Sequence, residues 1–177
     1  MKKLTLIAII VCLVIPMGIF GADTDSKVAK ANLKKIESFM KDYYVAYNEL
    51  AQDFETIDQM DNYWAPEFQV TIYFPFPEYP VLDLQTWKMF LAQGHVAVKE
   101  KLTSIDTIID TKNMKVTTKL DIKHTERNNN ELVIHLDGVA IYSLKVDSNN
   151  DLKITDMQFF CSDPIALMEL YNMMPPQ

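Results

Sequence analysis

The chain has 177 residues, 49% of them apolar, which suits one domain with a real core. Its formal net charge is −7, and no basic cluster offsets it, which argues against nucleic acid or an anionic lipid surface as a partner. The chain has four glycines and no Gly-rich phosphate loop, no Gly-x-Ser-x-Gly element, and no Cys-x-x-Cys or His-x-x-x-His spacing. We therefore expect no phosphate-bound cofactor, no serine nucleophile and no metal.

Residues 1–22 read as a secretory signal peptide. Lys2 and Lys3 precede an apolar run from Leu4 to Phe20, and small Gly21 and Ala22 follow. The run is shorter than the roughly 20 residues that span a bilayer comfortably. Cys12 stands too early in it, behind Ile10 and Val11, for a lipoprotein signal. An uncleaved anchor is the alternative. Cleavage would leave residues 23–177 as a secreted or periplasmic domain with no membrane contact. Loss of Lys2 and Lys3 would take the charge from −7 to −9. Cys161 would be the single thiol, so no internal disulfide is possible, and a small buried residue is the plain reading of it.

After the polar stretch Asp23–Ser26, a plausible helix start, Leu33, Ile36, Met40, Tyr43, Tyr47, Leu50 and Phe54 recur at steps of three and four. This predicts an amphipathic helix of about six or seven turns. Asp58 to Trp64 reads as a second, shorter helix that stops before Pro66. Phe68 to Phe74 reads as a strand, and Phe74-Pro75-Phe76-Pro77-Glu78-Tyr79-Pro80 as a stiff apolar loop covering something. Asp83 is expected to cap a third helix from Leu84 to about Glu100, with Trp87, Phe90, Leu91, Gly94 and Val98 facing inward. Leu102 to Asp110 is a strand, turned by Thr111-Lys112-Asn113.

The C-terminal third alternates. Val116, Thr118, Leu120, Ile122 and His124 share one side of a strand whose other side is polar. Arg127 to Asn130 is a turn, because Asn tolerates left-handed backbone angles. Glu131 to Val146 is a second strand with apolar residues on both sides, so it is expected to be central and covered on both faces. Gly138 in it suggests a bulge or bend. Asp147 to Asp151 turns the chain into a third strand, Leu152 to Cys161. Strands this long must twist, and helices gathered before an antiparallel sheet indicate an α+β layer structure.

Several ordered pieces now resemble a known family. They are Phe39–Tyr47, Tyr63-Trp64-Ala65-Pro66-Glu67-Phe68, the hairpin Tyr142–Asp147 with Leu152–Asp156, and Asp163-Pro164-Ile165-Ala166-Leu167-Met168-Glu169-Leu170. Together, over about Val28 to Leu170, they resemble the nuclear transport factor 2-like superfamily in its SnoaL-like branch. The resemblance implies a cystatin-like/nuclear transport factor 2-like cone, in which a cone-shaped curved antiparallel sheet wraps a long N-terminal helix and leaves an apolar cavity. It also implies a homodimer through the outer sheet face, with which Val133, Val139 and Ile141 are compatible. Family members include ketosteroid isomerase, polyketide cyclases and non-catalytic binding domains, so the fold alone does not give the activity.

The resemblance implies ligand-binding roles in the cavity for Tyr43, Tyr47, Trp64, Trp87 and Tyr142, which are equally read as plain core aromatics. In ketosteroid isomerase the base is an aspartate ending the first strand. Val70-Thr71-Ile72-Tyr73-Phe74 holds no acid there. Tyr142 matches the donor on the penultimate strand, and Tyr43 or Tyr44 the helix donor. Candidate catalytic groups are His124, on the apolar side of its strand, and Asp163, which also reads as a helix cap. His124 could equally sit half solvated at its strand end. His135 and Asp137, two apart, could meet as a pair or form a polar patch at a dimer face, and His95 reads as a surface or packing residue. The expectation is an extracytoplasmic domain that binds a small apolar or aromatic molecule without catalysis. The alternatives are a cofactor-free isomerase, cyclase or dehydratase with a His or Asp base, and a dimerising accessory domain with a filled cone.

Overall fold

The computed structural model describes residues 20–73, 80–96 and 98–170, with side chains from residue 32 onward. The first 19 residues of the expected signal segment, 1–22, and the core of the proline loop, 74–79, lie outside the described residues.

Helix α1 runs Phe20–Gln52. Ile36, Met40, Tyr43, Tyr47 and Leu50 bury the predicted stripe at 4% exposure or less. The helix ends before Phe54, where Asp53 starts a 3₁₀ segment, Phe54–Asn62, by accepting the Glu55 N–H. That segment replaces the helix expected over Asp58–Trp64. Its last carbonyls, Asp61 and Asn62, are taken up by the Lys153 ammonium at 2.9 and 2.8 Å.

Trp64 instead opens strand β1, Trp64–Ile72. Pro66 fits there because the ladder skips between Trp64 and Gln69, and a proline needs such a break. A short strand β2, Val81–Asp83, leads into α2, Leu84–Gly94, capped by Asp83 through the Thr86 N–H at 2.8 Å. Helix α2 stops at Gly94, six residues earlier than the pattern suggested. Strand β3 then runs Val98–Asp110, so Val98 and Glu100 belong to the sheet.

Strands β4 (Lys115–Glu126), β5 (Leu132–Val146) and β6 (Leu152–Cys161) follow the alternation closely, and α3 is Pro164–Leu170. Asn130 and Asn150 hold the two turns at φ of 59° and 67°. The six strands form one curved sheet in the order β2-β1-β6-β5-β4-β3. Its pairs are antiparallel except β1 with β6, which run parallel.

Strand β5 is central in the sheet but covered on one face only. Leu136, Ala140 and Tyr142 are buried, while Val133 and Val139 are 45% and 38% exposed. Gly138 carries no bulge. A Cβ there would come 2.8 Å from Ile122 Cδ1 and 3.0 Å from Phe159 Cε2, so the glycine relieves crowding on the inner face. The register shifts fall instead at Ser104/Asp106, His124/Thr125 and Ser143/Leu144. Edge strand β3 is guarded by α1. The Asn48 side chain donates to the Leu102 carbonyl at 2.9 Å and accepts the Leu102 N–H at 2.8 Å.

Candidate functional site

The curved sheet and α1 enclose a cavity of about 40 Å³. Its walls come from Tyr43 and Tyr47 of α1, Trp87 and Phe90 of α2, Tyr142 of β5 and one charged residue, Glu100 of β3. Four of the five aromatic residues expected to line it do so. Trp64 does not. It is buried beneath the cavity, stacked on Phe68 with centroids 5.4 Å apart.

Glu100 is the residue the sequence reading missed. It is 7% exposed and occupies an inward position of a strand, between Val98 and Leu102. Its Oε2 accepts the Tyr47 hydroxyl at 3.0 Å and lies 3.1 Å from His95 Nε2. Its Oε1 lies 3.6 Å from Nε2 of His124, its register partner on β4. A buried charge is tolerable only with such partners. The signal was present in the text of the chain: a glycine that can end a helix, then alternating apolar positions with an acid among them.

Burial alone would raise the Glu100 pKa. The His95 hydrogen bond, the fields of His124 and His95 and the Tyr47 hydroxyl outweigh it and hold the carboxyl below its usual range. Burial pushes His124 down, more than Glu100 pulls it up. His124 is fully buried, not half solvated at a strand end, and His95, expected at the surface or in packing, is buried at 1% exposure as a partner of Glu100. For Glu100 to be a carboxylate, His95 must carry its hydrogen on Nε2.

Tyr43 and Tyr142 add hydroxyls to the same lining, and Tyr44 stands behind Tyr142. Tyr44 donates to the Tyr142 hydroxyl at 3.2 Å. Tyr43 packs edge-on to Tyr142 at 5.7 Å. Burial raises the pKa of Tyr43, Tyr44 and Tyr142, so all three stay neutral hydroxyls. The cavity lining therefore combines one carboxylate with neutral hydroxyls and apolar side chains.

The remaining candidates fall elsewhere. Asp163 is exposed and caps α3 through the Ala166 N–H at 3.0 Å. His135 pairs with Asp121 across the β4–β5 ladder on the outer face, not with Asp137, whose N–H goes to Ser162 Oγ at 3.1 Å. Burial pushes the Cys161 thiol up to about 11, which leaves it a poor nucleophile. Among the described residues, no group of three or more His, Cys, Asp or Glu side chains has the geometry to hold a metal ion.

With this geometry, the chain was compared with known proteins. No family model matches the sequence, and no curated protein does. Solved structures match well. PrhC from Penicillium brasilianum NBRC 6234 superposes with a TM-score of 0.61 at 12% identity, covering 80% of this chain and 88% of that one. BvnE pinacolase from Penicillium brevicompactum gives 0.60 at 13% identity, with 79% and 96% covered. A candidate SnoaL-like polyketide cyclase from Jannaschia sp. CCS1 gives 0.53 at 8% identity, with 82% and 93% covered. The chain shares the fold of these SnoaL-like structures. At these identities the likeness is one of fold. What the SnoaL-like cone does in this chain must come from its own cavity.

Proposed function

We propose that this SnoaL-like domain binds a small, mostly apolar carbonyl compound in the cone and moves a proton on it without a cofactor. Glu100 is the proton acceptor, and the Tyr43 and Tyr142 hydroxyls face the oxygen that gains charge. The observation that carries this reading is the buried carboxylate on the wall of an apolar cavity, backed by two histidines and a tyrosine. Such clusters concentrate at functional sites. The end of the first strand holds no acid, and Glu100 supplies one from β3. A carboxylate held ionised is a ready but weak base, which suits a C–H already activated by its carbonyl. Neutral tyrosine hydroxyls suit the oxyanion that results.

The decisive experiment is NMR of small ketones and enones in D₂O. The wild-type protein should exchange the hydrogen next to the carbonyl of at least one compound. Glu100→Gln should reduce that rate about 100-fold or more. A wild type no faster than Glu100→Gln across the panel would refute the proposal.

One observation favours a second reading. A cavity of about 150 Å³ is needed for benzene, and this one is about 40 Å³. A ligand of several carbons needs the Trp87–Phe90 wall to shift, and if it does not, the cone is filled by its own side chains. Tryptophan fluorescence on titration with the same compounds separates the two. Export, a mature domain from residue 23, and a homodimer through the exposed face of β5 belong to either reading. N-terminal sequencing of the secreted or periplasmic protein and light scattering test them.

A further inference from the structure

One cation close to the buried carboxylate takes no part in the chemistry above. Arg127 follows β4 where the sequence offered only a polar turn. The hydrogen bonds of its guanidinium to the described residues all go to backbone carbonyls. Nη1 donates to Gln52 at 2.7 Å and Nη2 to Ala51 at 3.3 Å, both in the last turn of α1. Nε and Nη2 donate to the His95 carbonyl at 3.0 and 2.7 Å, where α2 has just ended. Nη2 also reaches the Val98 carbonyl at 3.4 Å, at the first residue of β3. Carbonyls at helix ends lack intrahelical partners and favour a cation.

His95 and Val98 stand on either side of the connection from α2 to β3. His95 itself holds Glu100, and Glu100 lies two residues beyond Val98 on the same strand. One planar group thus fixes the backbone behind both members of the pair and ties it to the end of α1, which carries Tyr47. A lysine in its place would be a point charge able to reach only some of these carbonyls.

We propose that Arg127 is the positioning residue of the Glu100 site. It clamps the α2–β3 connection against the end of α1 and so keeps His95 Nε2 in hydrogen-bond contact with Glu100 Oε2. The inference rests on Glu100 being the working group of the cavity.

The test uses isotope-labelled full-length protein without any substrate, so its outcome does not depend on whether proton transfer is ever observed. Two signals are read: hydrogen exchange of the His95 Nε2–H, and the titration of the Glu100 carboxyl, which Tyr47, His95 and His124 face. Arg127→Lys should speed the exchange about 10-fold by local opening and move the Glu100 titration upward, toward what burial alone favours. Arg127→Gln, which can keep a carbonyl contact without charge, should do the same. Asp83→Ala removes the cap at the far end of α2 and serves as the control for lost stability. It should leave both signals as in wild type. If the Arg127 variants lower Tm yet leave both signals in place, or if Asp83→Ala moves them as far, the positioning role is overturned.

Discussion

Two histidine–carboxylate pairs sit back to back on this sheet. On the inner face, His124 of β4 stands beside Glu100 of β3, with His95 completing the contact. On the outer face, His135 of β5 meets Asp121 of β4. The functional groups are the same, imidazole and carboxylate, and the strands are neighbours. The outer pair faces solvent: the His135 side chain is 49% exposed, so its contact with Asp121 is worth little. The inner pair is buried, so removing one member takes a hydrogen-bond partner from the others. Burial, not the identity of the pair, makes one a site and the other surface decoration.

The sharpest way to break this comparison is to delete the acid of each pair. Glu100→Ala takes the acceptor away from two buried donors, the Tyr47 hydroxyl and the His95 Nε2–H, and should cost about 1–3 kcal/mol for each by urea unfolding. Asp121→Ala should leave the unfolding midpoint within the scatter of wild type. Equal effects would mean that the inner cluster is more hydrated than its geometry indicates.

Acid should also separate the pairs. In the fold His124 lies below 6.5, its value in the free side chain, because burial penalises its charged form. The unfolded chain therefore takes up that proton first, and stability should be full above about pH 6.5 and decline below it. Glu100 lies below 4.5 in the fold, so a second decline should begin near that pH and continue down through the folded value. Urea midpoints from pH 8 down to about pH 3 would show the first decline and the onset of the second. His124→Gln should remove the upper decline, whereas His135→Gln should leave it.

A smaller effect tests whether charge, and not burial alone, sets the scale. Tyr44→Phe removes a neutral hydrogen bond to Tyr142 on the other wall of the same cavity. It should cost about 1 kcal/mol, well short of Glu100→Ala.

Much of the fold was legible. Strands β4 to β6 could be read because each turns one side to the core and each ends at Asn- or Asp-rich turns, where Asn130 and Asn150 adopt positive φ. The inward face of α1 and the Asp83 cap were legible for the same local reason. The site was legible in part. Tyr43, Tyr47, Trp87, Tyr142 and His124 were found on inward stripes, but Glu100 and the role of His95 were not. Leu91, Gly94 and Val98 keep helical spacing, while Val98, Glu100 and Leu102 keep a period of two. Local pattern cannot choose between the two at Val98. Pairing with β4, which puts Glu100 opposite His124, makes the choice.

By itself, then, the sequence determined which residues face inward within each element, where the hairpins turn, and that the class is α+β, while the cone was implied only by the family resemblance. Those properties follow from periodicity and turn chemistry, which act over a few residues. Only the tertiary structure decided that residues 95, 100, 124 and 47 share one dehydrated spot and that Arg127 closes over two helix ends. Such meetings depend on strand register and helix length summed over the chain, and the cost of burying a charge exists only once water has been excluded.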